Sequence, residues 1–149
     1  MVCGFGMSEA GTVFGMSVDC EVIRSKLGAA GISSPTVQTR VVDNEGNDCE
    51  VGMPGELLLR GPNLSPGYWR DPQATAEMRD GAGWFRTGDI VRRDADGFFW
   101  VVDRKKDMFI SGGENVYPAE IEAVLADHPE IRECAVVGMA DAQWGEVGY

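Results

Sequence analysis

An α+β fold is what this 149-residue sequence predicts: β-rich over residues 1–106, then the start of a small α+β domain over residues 107–149. Three observations carry the prediction. Short apolar runs, several alternating with polar residues, are closed off by Gly, Pro and Asp clusters. Glycine is abundant, at 20 residues, which favours tight turns and close backbone approaches over long helices. After Lys106 the pattern changes to a brief strand, a paired-glycine turn and one helix-period segment.

The elements follow in order. Met1–Glu9 reads as a strand end falling into a loop, an abrupt start that predicts a truncated chain. Thr36–Val42 is a strand, with Val37, Thr39 and Val41 alternating against Gln38 and Arg40. Asp43–Asn47 is a turn, and Glu56–Arg60 is a second strand between Pro54-Gly55 and Gly61-Pro62. Asp89–Arg93 and Phe98–Val102 form a hairpin around Asp94-Ala95-Asp96-Gly97. That tetrapeptide lacks the later ligands of a calcium loop and reads as a plain turn. Met108–Ile110 is a short strand and Gly112-Gly113 its turn. Pro118 suits the first turn of a helix, and Glu120 and Glu122 suit its positive end. Ile121, Val124 and Leu125 give that helix one apolar face, and His128-Pro129 stops it. Ile131–Val137 reads as a final strand with a buried end.

Composition narrows the function classes. A net charge of −11 argues against nucleic acid and anionic membranes, because phosphate contacts need a basic face. The basic run Arg104-Lys105-Lys106 is bracketed by Asp103 and Asp107. No apolar stretch reaches the roughly 20 residues of a bilayer span, and no charged-then-apolar leader is present. Four scattered cysteines with a single histidine predict reduced thiols in a cytoplasmic protein rather than a zinc site. His128, beside a helix-ending proline, is a boundary residue and not part of a catalytic set.

Four segments can carry chemistry, each with a structural alternative. In Gly4-Phe5-Gly6-Met7-Ser8-Glu9 the glycines would let backbone approach a flat ligand against the ring. The hydroxyl and carboxylate suit phosphate and Mg²⁺. The same residues also read as a Gly-rich turn with a buried Phe. Asp89 of Thr87-Gly88-Asp89 can accept from a ribose diol or cap its own turn. Arg104 offers a bidentate fork, or belongs to a solvated charge run. Gly112 and Gly113 border a channel for a slim ligand, or simply turn a hairpin.

Taken together and in this order, these segments resemble the adenylate-forming (AMP-binding) superfamily of acyl-CoA synthetases, nonribosomal-peptide adenylation domains and luciferases. Gly4–Glu9 looks like its aromatic-Gly-x-Thr-Glu motif, with Phe5 where Tyr is common and Ser8 where Thr is common. Gly61-Pro62 through Gly67-Tyr68-Trp69 and Ala74-Thr75, and then Gly83–Asp89, match further motifs. Asp103–Asp107 through Pro118–Glu122 match its hinge and glycine loop. The stretch Ser111–Pro118 is most similar to the acyl-CoA synthetase branch.

The resemblance implies a C-terminal subdomain of the large AMP-binding domain, a distorted barrel or sheet, followed by the truncated small domain. It implies that Phe5 stacks on adenine beside Gly6, Ser8 touches the α-phosphate and Glu9 holds Mg²⁺. Asp89 accepts from the ribose hydroxyls with help from Arg104, Val101 packs near the nucleoside, and Lys106 is the pivot of domain rotation. Gly112 and Gly113 line the pantetheine channel. The implied substrates are a fatty or aryl carboxylic acid, ATP and coenzyme A, joined through an acyl-adenylate. The family's phosphate loop and its C-terminal catalytic lysine find no match here, so the resemblance implies a fragment inactive alone. The alternatives are a domain loading a carrier protein and a non-catalytic binding module.

Overall fold

The computed structural model describes residues 4–149, so the reading of Met1–Cys3 lies outside the described residues. The chain divides into two compact units, Met1–Val101 and Val102–Tyr149.

The first unit is built on one antiparallel seven-stranded sheet, and the division from the second unit falls within its seventh strand. Its strands are β1 (Phe5–Met7), β2 (Gly11–Gly15), β3 (Gly31–Ser33), β4 (Gln38–Val42), β5 (Gly55–Arg60), β6 (Phe85–Arg93) and β7 (Phe98–Arg104), in spatial order β1-β2-β3-β7-β6-β5-β4. The predicted strand at Thr36–Val42 is present as β4 over Gln38–Val42, with Val41 on it and Val37 just before it buried in the core. Val42 is buried on the opposite face, against Leu58 and Trp84.

The three leucines of β5 divide the same way. Leu57 and Leu59 enter the main cluster with Val13, Phe14, Phe85, Val91 and Phe99, while Leu58 joins the smaller one. Successive strand residues point to opposite faces, so an unbroken Leu-Leu-Leu run fits a strand covered on both sides. Trp84 closes the second face, with the Arg60 guanidinium 4.4 Å from its ring centre and that of Arg40 at 5.5 Å.

The sheet curls around its core. Phe14 on β2 stacks on Phe99 of β7 with ring centres 4.3 Å apart, and Phe5 tilts against Phe14 at 5.4 Å. Edge strands β1 and β4 are not paired with one another. The segment after β5 bonds back to the β1–β2 turn, the Asn63 amide donating to the Ala10 carbonyl at 2.6 Å and the Ser65 N–H to the Glu9 carbonyl at 2.7 Å. The result is an open sheet whose β1–β2 turn is tied to the segment after β5.

Two short helices decorate it. In α1 (Cys20–Ser25) the Asp19 side chain caps the Glu21 N–H. In α2 (Pro72–Glu77) Asp71 caps Ala74 and Pro72 takes the first turn. The predicted hairpin around Asp94–Gly97 is present. The Asp94 carboxylate accepts from the N–H groups of Asp96 and Phe98, and both it and Asp96 bind Lys26, at 2.7 and 2.6 Å.

The second unit carries strands β8 (Phe109–Ser111), β9 (Glu114–Val116), β10 (Gly138–Asp141) and β11 (Gly145–Gly148) in the order β10-β11-β8-β9, with helix α3 (Pro118–Ala126). Pro118 opens α3 as expected, yet its N-cap, Tyr117, makes no side-chain cap bond. Asp103 performs that task through Oδ2, which accepts from the Ala119 N–H at 3.0 Å.

One expectation is corrected here. Ile131–Val137 is not a strand. The Val136 N–H is taken by the Glu122 carboxylate at 2.8 Å instead of a ladder partner, and pairing begins only where Val137 exchanges both backbone bonds with Tyr149. The apolar stripe of α3 is present with its helical spacing and is largely exposed, Ile121 at 38% and Val124 at 74%. Helical spacing specifies a stripe, but only a packed neighbour buries it.

Candidate functional site

The opening motif is a β-hairpin with a short turn. Strands β1 and β2 pair with Gly6 opposite Thr12, and a bulge falls between Phe5 and Gly6. A Cβ on Gly6 would lie 2.6 Å from the Gly11 carbonyl oxygen, so the close pairing itself demands glycine there. The hairpin carries an open groove of about 530 Å³ lined by Phe5, Gly6, Ser8, Thr12 and their neighbours, within the size range of small-molecule sites. Phe5, Gly6 and Ser8 thus line one groove.

Glu9 follows at once, and its carboxylate is engaged. The Tyr68 hydroxyl donates to Oε1 at 2.8 Å. That bond, with some desolvation, holds the Tyr68 phenol above its ordinary pKa.

Asp89 is set by a different device. On β6 the register against β5 slips, with Glu56 opposite Ile90 but Leu58 opposite Arg86. Thr87, Gly88 and Asp89 therefore all face Leu57, a bulge with extra residues on one strand. Gly88 sits at φ +70°, a left-handed conformation that glycine adopts without strain. The Thr87 hydroxyl fastens the bulge, donating to the Leu57 carbonyl at 2.8 Å and accepting from the Asp89 N–H at 3.0 Å. Thr87 and Asp89 are 8% and 4% exposed. Asp89 does not line the hairpin groove. Val101, farther along β7, is exposed.

In the second unit the charged run divides its labour. Asp103 accepts from the Arg104 N–H through Oδ1 and caps α3 through Oδ2. Arg104 ends β7 as an exposed residue. Lys106 lies in a cleft of about 330 Å³ among three carboxylates, those of Asp103, Asp107 and Glu122, with Pro118 and Gly138 completing the walls.

Gly112 and Gly113 form the β8–β9 turn, both at positive φ. A Cβ on Gly112 would meet the Trp144 ring at 2.7 Å, and the Gly112 N–H donates to the Trp144 carbonyl at 2.8 Å. Nothing lies within 4 Å of a Cβ on Gly113, so there only the backbone angle requires glycine.

Sequence reasoning left three of these residues without a role: Thr87, Tyr68 and Trp144. Thr87 and Tyr68 stood inside recognised motifs, but nothing in a linear motif reports that a hydroxyl reaches Leu57 or Glu9. Trp144 gave only the weak signal of a large aromatic beside glycine.

The family of AMP-binding enzymes matches residues 1–69, and the AMP-binding enzyme C-terminal domain matches residues 120–149. A feruloyl-CoA synthase from Amycolatopsis sp is 47% identical over 148 residues, covering 99% of this chain and 30% of that protein. An indoleacetate–CoA ligase from Aromatoleum aromaticum is 52% identical over 123 residues, covering 82% of this chain and 24% of the relative. The chain thus spans about 30% or less of the length of these curated relatives. Among solved structures, the unliganded O-succinylbenzoate coenzyme A synthetase of Bacillus subtilis superposes with a TM-score of 0.87 at 33% identity, over 99% of this chain and 31% of that one. Its complex with ATP and magnesium ion gives 0.85 at 36% identity, over 98% of this chain and 30% of the other.

Proposed function

Because the chain belongs to the AMP-binding enzyme family, we propose that it is part of an ATP-dependent acid–thiol ligase and contributes the nucleoside side of the site. In this reading a substrate carboxylate oxygen attacks the α-phosphorus of ATP. The bond to the β-phosphate oxygen breaks, giving an acyl-adenylate and pyrophosphate. The sulfur of coenzyme A then attacks the acyl carbon, its proton is lost, and AMP departs. Relatives named for feruloyl-CoA and indoleacetate support an aryl acid as substrate, and others named for long-chain fatty acids support a fatty acid.

The observation that carries the reading is the hairpin groove, whose lining includes an aromatic residue, a glycine required by the fold and a serine. Phe5 offers its ring to adenine, Gly6 lets the ligand approach the backbone, and Ser8 donates to the α-phosphate. Asp89, presented by the Thr87–Gly88 bulge, accepts from the ribose hydroxyls, and Arg104 assists it. Val101 packs near the nucleoside, and Lys106 serves as the pivot at the border of domains 1–106 and 107–149. Gly112 and Gly113 line the thiol's path.

Among the described residues no group of three or more His, Cys, Asp or Glu side chains is placed to hold a metal ion. A hard cation would therefore rest on the Glu9 carboxylate with phosphate oxygens and waters, the usual mode for Mg²⁺. When bound, Mg²⁺ neutralises developing phosphate charge. The protein's own share is positioning and fixed dipoles. Among the described residues no helix is long and apolar enough to cross a membrane, and Cys20, Cys49 and Cys134 are free thiols. These observations support a cytoplasmic setting.

Calorimetry with AMP tests the proposal. Loss of a hydrogen-bonding carboxylate in Asp89→Ala should weaken binding roughly 10-fold or more. Equal heats from both proteins would refute the nucleoside reading and favour a non-catalytic module.

A further inference from the structure

The segment between β5 and α2 grips the Glu9 turn at three points. The Asn63 amide holds the Ala10 carbonyl, the Ser65 N–H holds the Glu9 carbonyl, and the Tyr68 hydroxyl holds Glu9 Oε1 at 2.8 Å. The first two bonds fix the backbone. The third acts on one oxygen of a carboxylate and leaves Oε2 without a protein partner among the described residues.

Tyr68 is itself held firmly. Its N–H donates to Thr75 Oγ1 at 2.9 Å, and Thr75 Oγ1 donates to the Asp71 carbonyl at 2.7 Å within α2. Gly67 is required beside it, since a Cβ there would strike the Thr75 side chain. Tyr68 is 43% exposed, so the residue is poorly explained as core packing.

We propose that Tyr68 is a positioning residue for Glu9: its hydroxyl occupies Oε1 and thereby aims Oε2 at a phosphate-bound divalent cation. The inference rests on the reading of Glu9 as the metal-bearing carboxylate. Hydrogen bonds to a ligating carboxylate restrict its rotation and set its basicity, and losing such a partner costs about 10–100-fold in metal affinity. A bond from a partly exposed phenol belongs at the lower end of that range.

The test uses Mn²⁺ and ATP as probes, with water-proton relaxation reporting the Mn²⁺–ATP held by the protein and a urea midpoint reporting the fold. Tyr68→Phe, which removes one oxygen, should raise the Mn²⁺–ATP dissociation constant roughly 10-fold with the urea midpoint unchanged. Glu9→Gln should raise it at least as far. Wild-type affinity in Tyr68→Phe beside weakened Glu9→Gln overturns the positioning role and leaves the Glu9 reading standing. Wild-type affinity in Glu9→Gln, or no Mn²⁺–ATP held by the unsubstituted protein, overturns the Glu9 reading and this inference with it. A parallel fall of affinity and urea midpoint in Tyr68→Phe shows a role in the fold and likewise overturns the proposal.

Discussion

Replacing Thr87 by valine preserves the shape of a buried side chain and removes one oxygen atom. That oxygen serves two buried backbone groups at once, the Leu57 carbonyl at 2.8 Å and the Asp89 N–H at 3.0 Å. Leu57 is fully buried and Thr87 nearly so, so little water reaches the orphaned groups. Each buried group left unsatisfied costs about 1–3 kcal/mol, and the pair should cost roughly 2–4 kcal/mol after partial relaxation. For a protein of this size that corresponds to a fall of roughly 5–15 °C in Tm.

Urea unfolding followed by tryptophan fluorescence measures the loss as a lower midpoint at unchanged slope. Thr87→Ser is the control. It keeps the hydroxyl and gives up one methyl group, a loss of about 1 kcal/mol. The expected order of stability is wild type, then serine, then valine. A valine variant within about 1 kcal/mol of wild type, or more stable than the serine variant, would refute the idea that this hydroxyl fastens the bulge.

Two further outcomes follow from single residues. Gly88→Ala meets no atom within 4 Å, so its penalty is conformational alone; at φ +70° it should cost about 1–2 kcal/mol by urea unfolding while the protein still folds. The Asp43 carboxyl is held below its usual range, chiefly by the Asn47 N–H, with the Glu45 N–H and the Asn47 amide adding to it. A depressed carboxylate stabilises the fold above its unfolded pKa, near 3.8, and that help is lost as pH falls through the folded value. Asp43→Asn should therefore show a smaller drop in urea midpoint than wild type between pH 5 and a pH below about 3.8; identical acid limbs would contradict the assignment.

Much of the architecture was legible because the signals were local. The bracketed Leu57-Leu58-Leu59 run, the Val37–Val41 alternation and the Asp94–Gly97 turn each predicted an element that is present. Pro118 marked the start of α3 for the same reason, since its ring and missing N–H act within one turn. The helix caps at Asp19 and Asp71 were equally local signals, though they went unused, and α1 and α2 were missed with them.

Where the reading failed, the deciding partner lay on another element. Ile131–Val137 has a strand's composition, but Glu122 claims the Val136 N–H. The Ile121–Val124 stripe has its expected helical spacing, while its exposure is a tertiary matter that spacing does not set.

The sequence by itself determined which residue types stand at the candidate site, and in what order: the ring of Phe5, the hydroxyl of Ser8, and the carboxylates of Glu9 and Asp89. Only the tertiary structure decided how they are held. The Thr87–Leu57 bond spans 30 residues and joins the paired strands β5 and β6, and the Tyr68–Glu9 bond spans 59 and joins the segment after β5 to the β1–β2 turn. Local propensity acts over a few residues, whereas a hydrogen bond between distant segments exists only after the core has brought them together.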